Sequence, residues 1–206
     1  MSKKLAICIL TILYTVGLLG IGLELYPPIV WLTPINLLVS IVVAMYFDTA
    51  ELKRLLIFSI IVFCIGYGIE VAGIQTGKIF GEYQYGAILG PKIWETPLMI
   101  GTNWVLVTYS TGYTINAVLP KISKLFKAFI GATILVVLDT TIEPVAIRWG
   151  MWTWAIEEVP LQNYLAWWII GLIMMGIFSF TFEQRTNKVA VAVLILQFIF
   201  FGLLNL

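Results

Sequence analysis

Asp139 and Glu143 stand four residues apart inside an apolar run, Phe129 to Ile147, so a helix there carries both carboxyl groups on one face. A charged side chain at mid-bilayer costs about 2.5–3.5 kcal/mol on insertion scales, which makes acids at such depth functional candidates. Two neighbouring carboxyl groups in a poorly solvated place cannot both ionise cheaply. One that keeps its proton near neutral pH is what a general acid requires. Pro144 removes a backbone donor beside the pair and loosens the helix there. The structural alternative for Glu143 is an ion pair with Arg148 near the outer interface; Asp139 has no obvious basic partner.

Other groups with suitable chemistry lie in two blocks. Glu70 ends the run Gly66-Tyr67-Gly68-Ile69-Glu70, where glycines permit close approach of a helix or ligand. In Gly81-Glu82-Tyr83-Gln84-Tyr85-Gly86, an extended backbone puts Tyr83 and Tyr85 on one side and Glu82 on the other. Such a loop can fold over the mouth of a bundle as a lid. Trp152 and Trp154 repeat the alternation, while Trp104 and Trp167 fall at similar depth in later spans. Each aromatic face stabilises a nearby cation by about 0.5–2 kcal/mol. Buried acid beside many electron-rich rings suits protonation of an alkene and protection of the resulting carbocation. The chain has no histidine, which removes His-ligated metals, His-ligated haem and nucleophilic catalysis by Ser-His or Cys-His. No metal site is expected.

These residues need a scaffold, and composition says which kind. The chain is 61% hydrophobic over 206 residues, with 12 basic and 11 acidic side chains, the profile of a polytopic membrane protein. A net charge of +1 gives no field for nucleic acid. Apolar runs at roughly 5–21, 29–47, 55–74, 97–117, 128–147, 164–181 and 188–206 each allow one helical crossing. The expected fold is therefore all-α, a single integral membrane domain of about seven transmembrane helices with two long non-cytoplasmic loops. The first run resembles a signal sequence without a small-x-small cleavage site, so it reads as an uncleaved span. Cys8 and Cys64 fall in apolar runs and read as buried thiols, not as a disulfide.

Charge sets an expected orientation. With the N-terminus cytoplasmic and the C-terminus outside, nine basic residues (Lys3, Lys4, Lys53, Arg54, Lys121, Lys124, Lys127, Arg185 and Lys188) fall inside. Only Lys78, Lys92 and Arg148 fall outside, which satisfies the positive-inside rule. The links at 48–54, 118–127 and 182–187 are short and basic; those at 75–96 and 148–163 are long, and long loops in such a protein tend to carry function. All eight tryptophans fall in the outer loops or outer halves of spans, whereas a simple interfacial belt would populate both faces.

Two blocks resemble a known family. Gly77…Phe80-Gly81-Glu82-Tyr83-Gln84-Tyr85…Leu89-Gly90-Pro91…Pro97…Trp104 is similar to the membrane carotenoid hydratases of the bisanhydrobacterioruberin and γ-carotene 1′-hydratase type. So is Asp139…Glu143-Pro144, Trp152-Thr153-Trp154, then Val159-Pro160-Leu161-Gln162-Asn163-Tyr164…Trp167. The resemblance covers roughly residues 66–170. It implies addition of water across the terminal C1–C2 double bond of an acyclic carotenoid, without a cofactor. It implies a bacterial or archaeal cytoplasmic membrane, substrate taken within the bilayer among membrane lipids, and contact with other enzymes of the pathway. By the same resemblance Asp139 and Glu143 are the paired acids, and Glu70, Glu82 or the partner acid orients water. Tyr83, Tyr85, Trp104, Trp152, Trp154, Asn163 and Trp167 then surround the end group.

One departure stands out: Ile156-Glu157-Glu158 replaces a glycine-rich turn common in relatives. The glutamate pair is similar to the Pro-x-Glu-Glu element of small membrane lycopene cyclases, which close a ring after the same protonation. Cyclisation is thus one alternative. A non-catalytic carotenoid or isoprenoid-lipid binder, or a proton-coupled transporter using Glu70 and Asp139, is another. A retinal pigment is disfavoured because Lys188 stands only at the start of the last span, and missing histidine disfavours iron-dependent carotene cleavage.

Overall fold

The computed structural model describes residues 2–25, 29–183 and 185–206; Gln184, within the expected link 182–187, lies outside them. Seven α-helices account for most of this chain: α1 (Lys3–Gly22), α2 (Thr33–Tyr46), α3 (Leu52–Thr76), α4 (Leu98–Val118), α5 (Lys124–Arg148), α6 (Leu161–Thr181) and α7 (Lys188–Leu204). A 3-10 turn, Ile29–Leu32, leads into α2. Four short strands lie in the two long loops: β1 (Tyr83–Tyr85), β2 (Lys92–Ile93), β3 (Thr96–Pro97) and β4 (Trp152–Trp154). Local chemistry sets several boundaries. Ser2, Ser123 and Asn187 cap α1, α5 and α7 by accepting backbone N–H groups, and Gly77 ends α3 with φ +64°.

Exposed leucine, isoleucine and valine cover the outer faces of the helices, among them Leu13, Ile60, Ile169, Ile195 and Ile199. Apolar surface so extensive on the outside is the surface of a membrane protein. Among the described residues, five helical segments are long and apolar enough to cross a bilayer: α1, the 3-10 turn with α2, α3, α5 and α6. Helix α7 is apolar but has 17 residues. Helix α4 has the length, with 21 residues, yet it is less apolar because 14 of them are buried against protein instead of lipid. It packs against α2, α3, α5, α6 and α7, which makes it the central post of the bundle. Cys8 and Cys64 are free, as expected, but exposed on the lipid-facing surface and not buried. Their apolar neighbours in sequence are lipid-facing too, and hydropathy alone does not separate lipid from core.

The two ends of the bundle differ. At one end Asp48, in the α2–α3 link, accepts hydrogen bonds from Tyr109 (2.5 Å) and Tyr113 of α4, and Asn187 donates to the Tyr109 hydroxyl at 3.1 Å. Lys127 donates to Asn116, and Asn116 to the Phe182 carbonyl. The short basic links are thereby tied together. At the other end lie both long loops, joined because β1 pairs antiparallel with β4 (Tyr83 opposite Trp154, Tyr85 opposite Trp152). A second ribbon, β2 with β3, precedes α4.

Candidate functional site

The β1–β4 ribbon lies over the mouth of the bundle, and its side-chain alternation decides what faces inward. Tyr83 and Tyr85 project from one strand; Trp154 and Trp152 project beside them from the other, with ring centroids 5.0 Å (Tyr83–Trp154) and 6.1 Å (Tyr85–Trp152) apart. Each strand delivers its two rings to one carboxyl group. The tyrosine hydroxyls both donate to Glu70 Oε2 on α3, at 2.5 and 2.8 Å. The indole N–H groups of Trp152 and Trp154 both donate to Glu143 Oε2 on α5, at 2.9 and 3.0 Å. Burial first, and then the Glu70 charge, push both phenols well above their ordinary range, so they stay protonated as donors.

Below the ribbon, Trp104 of α4 donates to Glu70 Oε1 at 3.1 Å and stacks on Trp167 of α6 at a centroid distance of 4.1 Å. This close stack needs room behind it. Gly66 of α3 supplies the room, since a Cβ there would sit 2.5 Å from the Trp104 ring. Asp139, one turn before Glu143 on α5, accepts a single hydrogen bond, from Asn163 Nδ2 at 2.9 Å. Asn163 is in the first turn of α6, placed there by the start that Pro160 gives the helix.

Together these groups line a compact cavity of about 40 Å³. It holds Glu70, Asp139, Glu143, Tyr83, Tyr85, Trp104, Trp152, Trp154, Asn163 and Trp167, all singled out from the sequence. Glu70, Asp139 and Glu143 are each 2–3% exposed, so three carboxyl groups share one buried chamber. Glu82 is the exception. It is exposed on the outer side of the ribbon, beside Gln84 and Thr153, because the same alternation that turns Tyr83 and Tyr85 inward turns it out. Arg148 pairs with Glu24 at 3.4 Å, leaving Glu143 to the indoles. Glu157 and Glu158 are exposed and do not line the cavity. Among the described residues the acids are not grouped as a metal-ligand cluster.

Phe80, Ile100, Asn103 and Ile142 complete the wall and were not anticipated. Helical spacing carried a signal for two of them: Ile100 is one turn before Trp104, and Ile142 one turn after Asp139. Of the eight tryptophans, Trp104, Trp152, Trp154 and Trp167 face the cavity; Trp31 and Trp94 are exposed, Trp149 is partly buried against the core, and Trp168 bonds Thr133.

The ribbon also yields a test of loop coupling. The Gly86 N–H donates to the Met151 carbonyl at 2.8 Å, and a Cβ on Gly86 would meet the Gly150 carbonyl oxygen at 2.0 Å. Backbone cannot rotate away as a side chain can. Gly86→Ala is expected to pry the loops apart and destabilise the protein by about 2 kcal/mol, read as a lower unfolding midpoint in detergent micelles.

Comparison with known proteins adds the family. Residues 32–206 match the sequence profile described as carotenoid biosynthesis protein. The bisanhydrobacterioruberin hydratase of Haloarcula japonica is 28% identical over 131 residues, covering 57% of this chain and 42% of that protein. The chain therefore matches less than half the length of this relative. No solved structure gives a match. With its profile spanning most of the sequence, the chain belongs to the carotenoid biosynthesis protein family.

Proposed function

We propose that the protein hydrates the terminal C1–C2 double bond of an acyclic carotenoid by acid protonation and capture of the cation with water, without a cofactor. The observation that carries this reading is the joint placement of three buried carboxyl groups and six tyrosine and tryptophan rings around one cavity. The name of the Haloarcula relative supports the same chemistry.

Hydrogen-bond supply distributes the roles. Glu70 receives three donors, which suits it to hold the ribbon closed. Glu143 receives two, both on one oxygen. Asp139 receives one. The least supported anion is the best proton carrier, so Asp139 donates its proton to C2. A tertiary cation is left at C1, facing the rings of Trp104, Trp152, Trp154, Trp167, Tyr83 and Tyr85. A water oxygen then forms the C1–O bond, and its surplus proton returns to a carboxylate of the Asp139–Glu143 pair. Net uptake is one water, and the enzyme ends as it began.

By the same reading the N-terminus is cytoplasmic, the ribbon end faces outward, and substrate is taken from the bilayer. The basic residues of the short links, gathered at one end, support this orientation. Co-expression with an acyclic carotenoid pathway tests the activity. The expected pigment is heavier by one water for each end that reacts. A ring-closed pigment of unchanged mass would instead indicate cyclisation, and unaltered pigment held by the purified protein would indicate a binder.

A further inference from the structure

Beside the acid cavity lies a second space of about 40 Å³, between α2, α4, α5 and α7. The two share Ile100, Asn103, Ile142 and Trp152 as a common wall. Leu37, Leu89 and Phe201 make most of the remainder apolar. Three side chains do not fit that character: Thr33 of α2, Asn103 of α4 and Gln197 of α7. Gln197 is 1% exposed, and its Oε1 has no hydrogen-bond partner among the described residues. A buried amide oxygen without a donor loses its hydration for nothing, a cost that native proteins seldom leave standing. An isosteric apolar residue at position 197 would avoid it.

We infer that this slot is a water site, and that Gln197, with Asn103 and Thr33, holds the water that captures the carbocation. The inference rests on the hydration reading above. Water is the ligand the slot fits: a bound water needs two to four polar partners, and three polar side chains line an otherwise apolar space of about 40 Å³. Gln197 Oε1 accepts one of its O–H groups. Asn103 belongs to both spaces, so it marks the passage by which the oxygen lone pair reaches C1. Held outside the ring-lined chamber, the water does not quench Asp139 before the polyene arrives, yet it lies next to the cation once formed. Gln197 is on this account a positioning residue that decides the fate of the cation, not its formation.

Gln197→Met keeps length and removes the amide. Purified variant and wild type are compared on an acyclic carotenoid, with all products resolved by mass and retention. The expected result is a fall of about tenfold in the hydrated share of converted substrate, the loss of one positioning hydrogen bond. Unhydrated products, from proton loss or ring closure, take its place, while total consumption changes little. Asn103→Leu, from a different helix, is expected to shift the split the same way. A parallel fall in every product, or an unchanged product split in Gln197→Met, overturns the inference. A high-resolution experimental structure of the wild type supplies an arm independent of turnover. Ordered water within hydrogen-bond distance of Gln197 Oε1 supports the water site, and a dry slot refutes it. Failure of the wild type to hydrate any acyclic carotenoid would count against the hydration reading alone, and the structural arm then decides the slot.

Discussion

Asp139→Asn is expected to reduce conversion of an acyclic carotenoid by about a thousandfold, in the range measured for loss of a general acid, while leaving the protein folded and inserted. The replacement has nearly the same shape, and its amide oxygen can still accept the Asn163 N–H now bonded to Asp139 at 2.9 Å. What disappears is the acidic proton. Nothing else in the cavity replaces it well, since Glu70 and Glu143 each serve as acceptors for at least two ring donors. The measurement is pigment conversion at equal membrane levels of variant and wild type, with thermal unfolding in micelles as the control. Conversion at the wild-type rate would remove Asp139 from the chemistry.

Glu70→Leu is expected to have the largest effect on stability, about 3–5 kcal/mol, because three buried donors lose their shared acceptor. Tyr83, Tyr85 and Trp104 would each keep a buried donor with its acceptor gone. Those three side chains come from the ribbon and the central helix, so the loss spreads from α3 into the lid and the core. Glu70→Gln retains an acceptor at the same place and is expected to lie between leucine and wild type. Chemical unfolding in micelles measures the order; equal midpoints for all three proteins would show that Glu70 holds nothing together.

Much of this arrangement was legible in the chain. Hydropathy located all seven helices among the described residues, because a helix that crosses a bilayer is mostly apolar whether it faces lipid or its neighbours. The alternation of Tyr83 with Tyr85, and of Trp152 with Trp154, marked extended segments with an aromatic face. Their pairing was not legible: two three-residue strands in distant loops leave no periodic trace that links them. Nor does spacing say that the tyrosines reach Glu70 and the tryptophans Glu143, since that depends on how α3 and α5 stand on either side of α4. Glu82 shows the converse case. Its outward position follows from the alternation that orients its neighbours, although its charge and place in the motif made it a candidate. Cys8 and Cys64 were misplaced for a more general reason, that lipid and protein interior are equally apolar. Gln197 is a single amide in the apolar run of α7, and only the packing of α2 and α4 against it gives it a setting.

The core of the proposal is a proton moved from a carboxyl group to carbon, followed by capture with water, and isotopes report both events at once. Purified protein would be given an acyclic carotenoid in water enriched in oxygen-18, and separately in deuterium oxide, and the product analysed by mass spectrometry. The expected product carries one heavy oxygen per reacted end as a tertiary alcohol, and one carbon-bound deuterium beside it at C2. A pigment recovered with neither label, from protein that is folded and has bound it, would contradict the proposal.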